Sequence, residues 1–529
     1  MSVTRSYFFV LTFLVNFMVM LAESKNNQRS YSSSNQGLIF GKHIPYTATH
    51  GPLPPPPPLP TTTTPKSTSC PVINHPLRCE PNTVLNFTRT GLRKIGDFFV
   101  NSTDTKELYL DYNDIDEISL NAFEALPRLQ YLSIRGNNIP VNKLLWFKRH
   151  NTLRYLALDE NQQFLDKNIA VESMFESLPN LRYLSLRRSK ISRMGVSMQK
   201  FAPRLVQLDL SGNGIVSTDF LVDLPRTVEN LWLDDNAIAN VKKYVLANTK
   251  VLSLSGNQLT VLCGNRCSGS WLSLKGMSKL ETLNVSRNRI NSITVDAFAD
   301  TPSLRTLDLS ANDMDTLPND AFNGVSSLQE LLLSRNKFVY VPNMCQLQNI
   351  QHVDLSENKI QILTNSSFCL SQCYIKTINL AGNGILNINH DTFHNLVWLQ
   401  RLDLSDNDIS ELPIQLIANA QFLQVLLLKN NRIMNIEVLF NVNSNRLAEL
   451  HLQGNPLPSL KVHILPKLTI QLKDFNPIRE KVDATTTEAS DSKQWSNSNE
   501  KYDQNVDFSD ENNDYNDNID DNENDADQQ

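Results

Sequence analysis

The sequence predicts an α/β solenoid: a horseshoe-shaped stack of coils, with a parallel β-sheet on the concave face and irregular or short helical segments on the convex face. Disordered tails flank the stack. Three observations carry the prediction. The phrase "LRTLDLSANDM" at residues 304–314 returns with small changes through most of the chain. Its leucines at the first, fourth and sixth places suit a short strand with one buried side. A polar residue, Asn312, follows the last of them by three places, and that asparagine returns as well.

Residues 1–22 read as a secretory signal, with Arg5 as the positive flank, an apolar run from Phe8 to Leu21, and Ala22-Glu23-Ser24 for cleavage. The run is broken by Asn16 and is shorter than a bilayer span, and no later segment reaches the roughly 18 apolar residues a span requires. The polar C-terminus carries no lipid-anchor signal. The expected location is therefore secreted, in the extracellular space or matrix, with no membrane span. Seven cysteines fit an oxidising compartment. Four N-x-S/T acceptors, Asn86, Asn101, Asn284 and Asn365, agree with that route as glycosylation sites.

Residues 23–69 form a Ser, Pro and Thr-rich linker that includes "GPLPPPPPLPTTTTP". Prolines in series favour an extended polyproline helix, and such a composition cannot bury a core.

The periodic region follows. Aligned on the asparagine, its turns fall at Asn113, Asn137, Asn161, Ser189, Asn213, Asn236, Asn257, Asn288, Asn312, Asn336, Asn358, Asn383, Asn407, Asn431 and Asn455, mostly 24 residues apart. Six turns add a phenylalanine ten residues on: Phe123, Phe147, Phe298, Phe322, Phe368 and Phe393. A bend after each strand turns backbone N–H and C=O groups inward, where an unpaired group costs roughly 1–3 kcal/mol. Asparagine offers an acceptor and two donors on a short stem, so it is expected to satisfy such groups in its own turn and in the next. The phenylalanines should form a second internal column. Ser189 keeps one hydroxyl, and its turn should be weaker.

These phrases resemble the extracellular leucine-rich repeat family in its 24-residue form, over about residues 105–460 as some fifteen units. The architecture is similar to that of Toll-type receptor ectodomains and secreted matrix proteins of the family. Fifteen strands at about 4.8 Å spacing would give an inner surface roughly 70 Å long. Such a stack has exposed edges and requires caps. The resemblance implies an N-terminal cap over 70–104, with Cys70 and Cys79 as its disulfide beside "TGLRKI", and places the start of a C-terminal cap at "GNPLPSL". No cysteine follows Cys373, so a terminal strand near Leu468–Leu472, within 461–475, is expected to cover that edge instead.

Cys263 and Cys267 sit in the longest unit, 31 residues, and can close a small loop. Cys345, Cys369 and Cys373 fall in neighbouring units, close enough for one bond, expected from Cys345 with Cys369 as partner. The odd cysteine leaves a thiol that is free, buried, or open to pairing in a homodimer.

Residues 476–529 are an acidic Asn/Asp-rich tail expected to be disordered. Residues 500–529 carry twelve acidic side chains and one lysine, a local charge of −11 against −6 overall, so the remainder is near +5. That is too little positive charge for a nucleic-acid surface. Tyr502 and Tyr515 lie among carboxylates, as sulfation sites of secreted proteins do, and sulfation would favour basic partners.

No catalytic set emerges, and an enzyme is not expected. "HDTFH" has His390 and His394 at zinc-pair spacing but lacks the glutamate of a metalloprotease helix, so both are read as solvent-facing. The acidic tail lacks the glycine and terminal glutamate of a calcium loop. No metal or cofactor is expected.

The outward strand positions are the candidate partner-binding residues. In early units they include Tyr109, Tyr112, Tyr131, Arg135, Arg154, Tyr155, Arg182, Tyr183, Arg187 and Trp232. Tyr131, Tyr155 and Tyr183 share one register and should form a contiguous column. Tyr, Trp and Arg are the residues most enriched in binding hot spots. A glycan on Asn284 would obstruct the middle of the concavity, directing a partner to the first six units or the convex side. The expected function is a secreted, non-enzymatic recognition protein that binds a protein or glycoconjugate in adhesion, signalling or innate immune recognition. A structural matrix component binding fibres or basic proteins is the alternative.

Overall fold

The computed structural model describes residues 77–78, 83–146, 148–161, 170–171, 177–368, 374–413, 416, 420–439, 446–457 and 469–471, all within one compact unit, Pro76–Gln529. The signal segment, the proline-rich linker, Cys70, Cys79, Phe147, Cys369, Cys373, Tyr502, Tyr515 and the acidic tail lie outside the described residues.

The repeats build one parallel sheet that begins at Val84–Asn86, continues through three-residue strands such as Glu107–Tyr109 and Thr306–Asp308, and ends at Thr469–Gln471. Pairing is in register throughout. Leu283, Leu307 and Leu331 are consecutive partners, as are Leu108, Leu132 and Leu156. These central residues are almost fully buried, and each contributes roughly 1.5–3 kcal/mol by leaving water. No coil alone could bury its leucines; stacking supplies the other half of the interior. The sheet is open. Its first strand covers one end of the repeat strands, and Thr469–Gln471 pairs in parallel with Glu449–His451 at the other.

Among the described residues the convex side carries a four-residue α-helix, Met198–Phe201, short 3-10 turns, and two- or three-residue strands. Four of the phenylalanines lie inside in two stacks, Phe298 on Phe322 at 6.2 Å and Phe368 on Phe393 at 5.9 Å, and Phe123 is buried as well. Between the stacks the equivalent place holds Gln346, which donates to the Asn319 carbonyl.

The asparagines form a ladder that reaches backward. Asn312 Oδ1 accepts the Ile290 N–H at 2.9 Å, while its Nδ2 donates to the Val285 carbonyl at 3.0 Å and to the Leu309 carbonyl at 2.9 Å. Ile290 and Val285 belong to the preceding coil, so each amide serves its own turn and the one before, not the one after. The strand-to-bend geometry places the earlier coil's groups over it. Ser189 keeps part of this pattern, donating to the Leu158 and Arg187 carbonyls.

The bend has a backbone signature that the asparagine alone did not reveal. In every turn the residue just before it has φ between 48° and 76°, from Tyr112 to Gly454. Glycine fills five of these places, and other residue types accept a left-handed conformation that costs roughly 1–2 kcal/mol.

The 31-residue unit uses its extra residues for an exposed turn and an added strand. Strand Val261–Cys263 pairs with Ser292–Ile293 on one side and with Trp271–Ser273 on the other, and Leu272 bridges back to Val241. The surplus chain therefore inserts a strand between neighbouring coils. A Cys263–Cys267 disulfide closes its turn, and Asp296 accepts the Asn265 N–H and the Thr294 hydroxyl beside it.

Candidate partner-binding face

Three tyrosines at one register, Tyr131, Tyr155 and Tyr183, occupy consecutive strands. Neighbouring strands lie only about 4.8 Å apart, so planar side chains there must stack or splay. They stack. Tyr131 and Tyr155 have centroids 4.2 Å apart with planes at 12°, and Tyr155 and Tyr183 are 4.0 Å apart at 6°. Tyr109, from the strand before and two positions further along, packs on Tyr131 at 5.0 Å with planes at 39° and donates its hydroxyl to Glu107. Burial, the leading cause, pushes the Tyr109, Tyr131 and Tyr155 hydroxyls above the ordinary phenol range, so the column is neutral across physiological pH.

The column is contiguous, but stacking changes what it presents. Tyr131 and Tyr183 are each 7% exposed. Their faces are covered by neighbours, whereas the sequence alone suggested rings standing free toward a partner.

Arginines fix the column and flank it. Arg135 Nη2 donates to the Tyr155 hydroxyl at 2.9 Å, and its guanidinium lies 3.1 Å from the Asp159 carboxylate. Asp159 also accepts the Arg187 N–H and the Ser185 hydroxyl, and Arg187 reaches Asp209 at 3.6 Å. Arg154 and Arg182, each just before a column tyrosine, are exposed and make no ion pair among the described residues. The face is thus a rigid neutral column beside two arginines with available charge.

Two expected members lie elsewhere. Tyr112 sits in the left-handed bend, its ring over Gly136 and 5.3 Å from the Arg89 guanidinium carbon, so it belongs to the rim. Trp232 is half-buried two strands past the column, in register with Asp209 and Ser253.

Asn284 requires a correction. It was expected to project a glycan into the concavity, yet it is 8% exposed and its Oδ1 accepts both the N–H and the hydroxyl of Ser286. Residues at this register close off the strand end. Asp209, Asp308 and Asp354 do the same with the serine two residues on, and Asp403 takes the Ser405 N–H. The recurrent "LDLS" was the available signal: the acid is a local cap of the strand end and not a contact residue. Burial pushes the Asp209 carboxyl up to about 6, against the pull of Ser211 and Arg187. Asn86, Asn101 and Asn365 are exposed.

Cys345 also departs from expectation. It is free and exposed, on a convex loop where its N–H bonds the Asn343 side chain, and the bond expected from it is not made. His390 and His394 are both exposed. Among the described residues no group of three His, Cys, Asp or Glu could hold a metal ion, and no helix is long and apolar enough to cross a membrane.

Comparison with known proteins agrees with this architecture. A "Leucine rich repeat" family model matches residues 83–139 and 278–338, and a "BspA type Leucine rich repeat region (6 copies)" model matches 343–456. Mus musculus lumican is 29% identical over 36% of this chain and 60% of its own length. Homo sapiens Toll-like receptor 3 is 28% identical over 37% of this chain and 17% of its own. The chain thus spans less than two thirds of these relatives. A solved Leptospira interrogans leucine-rich repeat protein superposes with a TM-score of 0.50 at 21% identity, covering 73% of this chain and 95% of that one.

Proposed function

Because the chain is a leucine-rich repeat protein, we propose that it acts by recognition and not by catalysis, binding an extracellular protein or glycoconjugate through the concave face of its first turns. The observation that carries this reading is the stacked column Tyr131–Tyr155–Tyr183 with Arg154 and Arg182 beside it. Stacking removes rotamer freedom before a partner arrives, so little ordering entropy is lost on contact. The two arginines supply charge for carboxylate, sulfate or carbonyl groups. Secretion is supported by the N-terminal segment, the seven cysteines and the exposure of Asn86, Asn101 and Asn365.

The test is capture from extracellular fluid and matrix extracts by the immobilised chain, with identification of retained molecules. Wild type should retain a specific partner, and the double variant Arg154→Glu, Arg182→Glu should lose it by a factor of about ten or more. Equal retention by both would reject the face. A partner confined to salt-extracted matrix would indicate the structural role; one in the soluble pool would indicate recognition.

A further inference from the structure

A second surface, at the other end of the sheet, carries a pattern that neither the fold nor the concave column requires. Three places before each strand, the early turns hold polar side chains tied to the neighbouring coil. Arg128 pairs with Asp104 at 3.1 Å, Thr152 and Thr227 donate to the Leu129 and Leu205 carbonyls, and Asn349 donates to Ser326. In the last four turns that place changes to Tyr374, Trp398, Phe422 and Arg446, each 24 residues after the last. The rings stack in series, Tyr374 to Trp398 at 6.5 Å and Trp398 to Phe422 at 5.0 Å, and the Arg446 guanidinium carbon lies 4.2 Å from the Phe422 centroid. Tyr374 is 55% exposed and Trp398 37%.

A second row runs beside the first, across one buried aliphatic residue in each turn. Lys376, Gln400 and Gln424 are linked through backbone, the Gln400 N–H to the Lys376 carbonyl and the Gln424 N–H to the Gln400 carbonyl, both 2.8 Å. Each lies two residues after an aromatic, with buried Ile375, Leu399 or Leu423 between them. The two rows together offer apolar rings, two amides and two cations, with no carboxylate. Arg446 makes no ion pair among the described residues.

From this geometry we propose that the Tyr374–Trp398–Phe422–Arg446 flank docks a proline-rich peptide in the polyproline II conformation. Such a peptide presents pyrrolidine rings that pack on aromatics and free carbonyls that need donors. Prolines have no N–H, so the ligand is an acceptor without donors, which complements a surface of amides and cations. The Gln400 and Gln424 amide oxygens would also accept sugar hydroxyls, so dextran and heparin are the competing probes in the test. The length fits as well: at 3.1 Å per residue, about four or five residues span the ring ladder. This surface is independent of the concave column, and the two proposals can fail separately.

The test is fluorescence anisotropy of dye-labelled decaproline titrated with the full chain, against a labelled Gly-Ser decamer. Decaproline should bind saturably. Trp398→Thr, which installs the residue found at Thr152 and Thr227, should weaken binding about tenfold or more, and Gln424→Ala a few-fold. Arg446→Ala provides an exposed second variant if Trp398→Thr lowers the melting temperature. Absence of saturable decaproline binding overturns the proposal. So does equal binding by the variants, or binding of dextran or heparin in place of decaproline that Trp398→Thr abolishes.

Discussion

Tyr155 lies flat against Tyr183, ring centroids 4.0 Å apart and planes within 6°, while its other face meets Tyr131 at 4.2 Å. It is the middle ring of the column, and Arg135 donates to its hydroxyl. Removing the ring should uncover two neighbours at once. Tyr155→Ala is expected to cost about 2–4 kcal/mol, against about 1 kcal/mol for Tyr155→Phe, which loses only the hydrogen bond. Urea unfolding followed by circular dichroism compares them; similar midpoints for the two would mean the stack adds little.

Asn312 satisfies three buried backbone groups in two coils. Asn312→Ala leaves the Ile290 N–H unpaired, while the Val285 and Leu309 carbonyls each keep one amide donor, from Asn288 and Asn336, for a loss of about 1–3 kcal/mol. Hydrogen exchange locates the effect: faster exchange should centre on the Ile290 amide and its neighbours in the preceding coil. Loosening confined to the following coil would contradict the backward direction of the ladder.

Asp209 is expected to oppose folding at neutral pH. Its carboxyl is pushed up to about 6 by burial, above an unfolded value of about 3.9. The folded state therefore binds the proton more tightly. Its stabilising contribution is complete below about pH 4 and is lost as pH rises through about 6. Asn284 shows that an amide can make the same cap with the following serine. Asp209→Asn should flatten the melting temperature between pH 4 and 6 and raise stability at pH 7 by on the order of 1 kcal/mol. A variant that melts lower than wild type at pH 7 would assign the greater weight to the Arg187 pair, at 3.6 Å.

Gly256 occupies a bend at φ 67°, and a Cβ there would lie 2.3 Å from Asp235 Oδ1. Asp235 reaches past it to Arg287 at 3.1 Å. Gly256→Ala should cost about 1–2 kcal/mol from the backbone alone. It should also make stability less sensitive to salt than wild type, because the displaced carboxylate leaves its partner. Unchanged salt dependence would show that the ion pair survives by side-chain adjustment.

The sequence by itself determined the coils, their parallel register, the buried leucines and the inward amides, because each is enforced by a local requirement repeated at a constant period. A backbone bend in an apolar interior requires a short amide whichever coil surrounds it. Relations between coils were decided only by the tertiary structure. Strand spacing turned three outward tyrosines into a closed stack, and put Asn284 in a strand-end cap instead of on a glycan stalk. The same packing directed each amide to the coil before it, and left Cys345 on a convex loop without the bond expected of it. Residues 24 positions apart become neighbours at about 5 Å, and a one-dimensional period records that they recur without recording whether they touch.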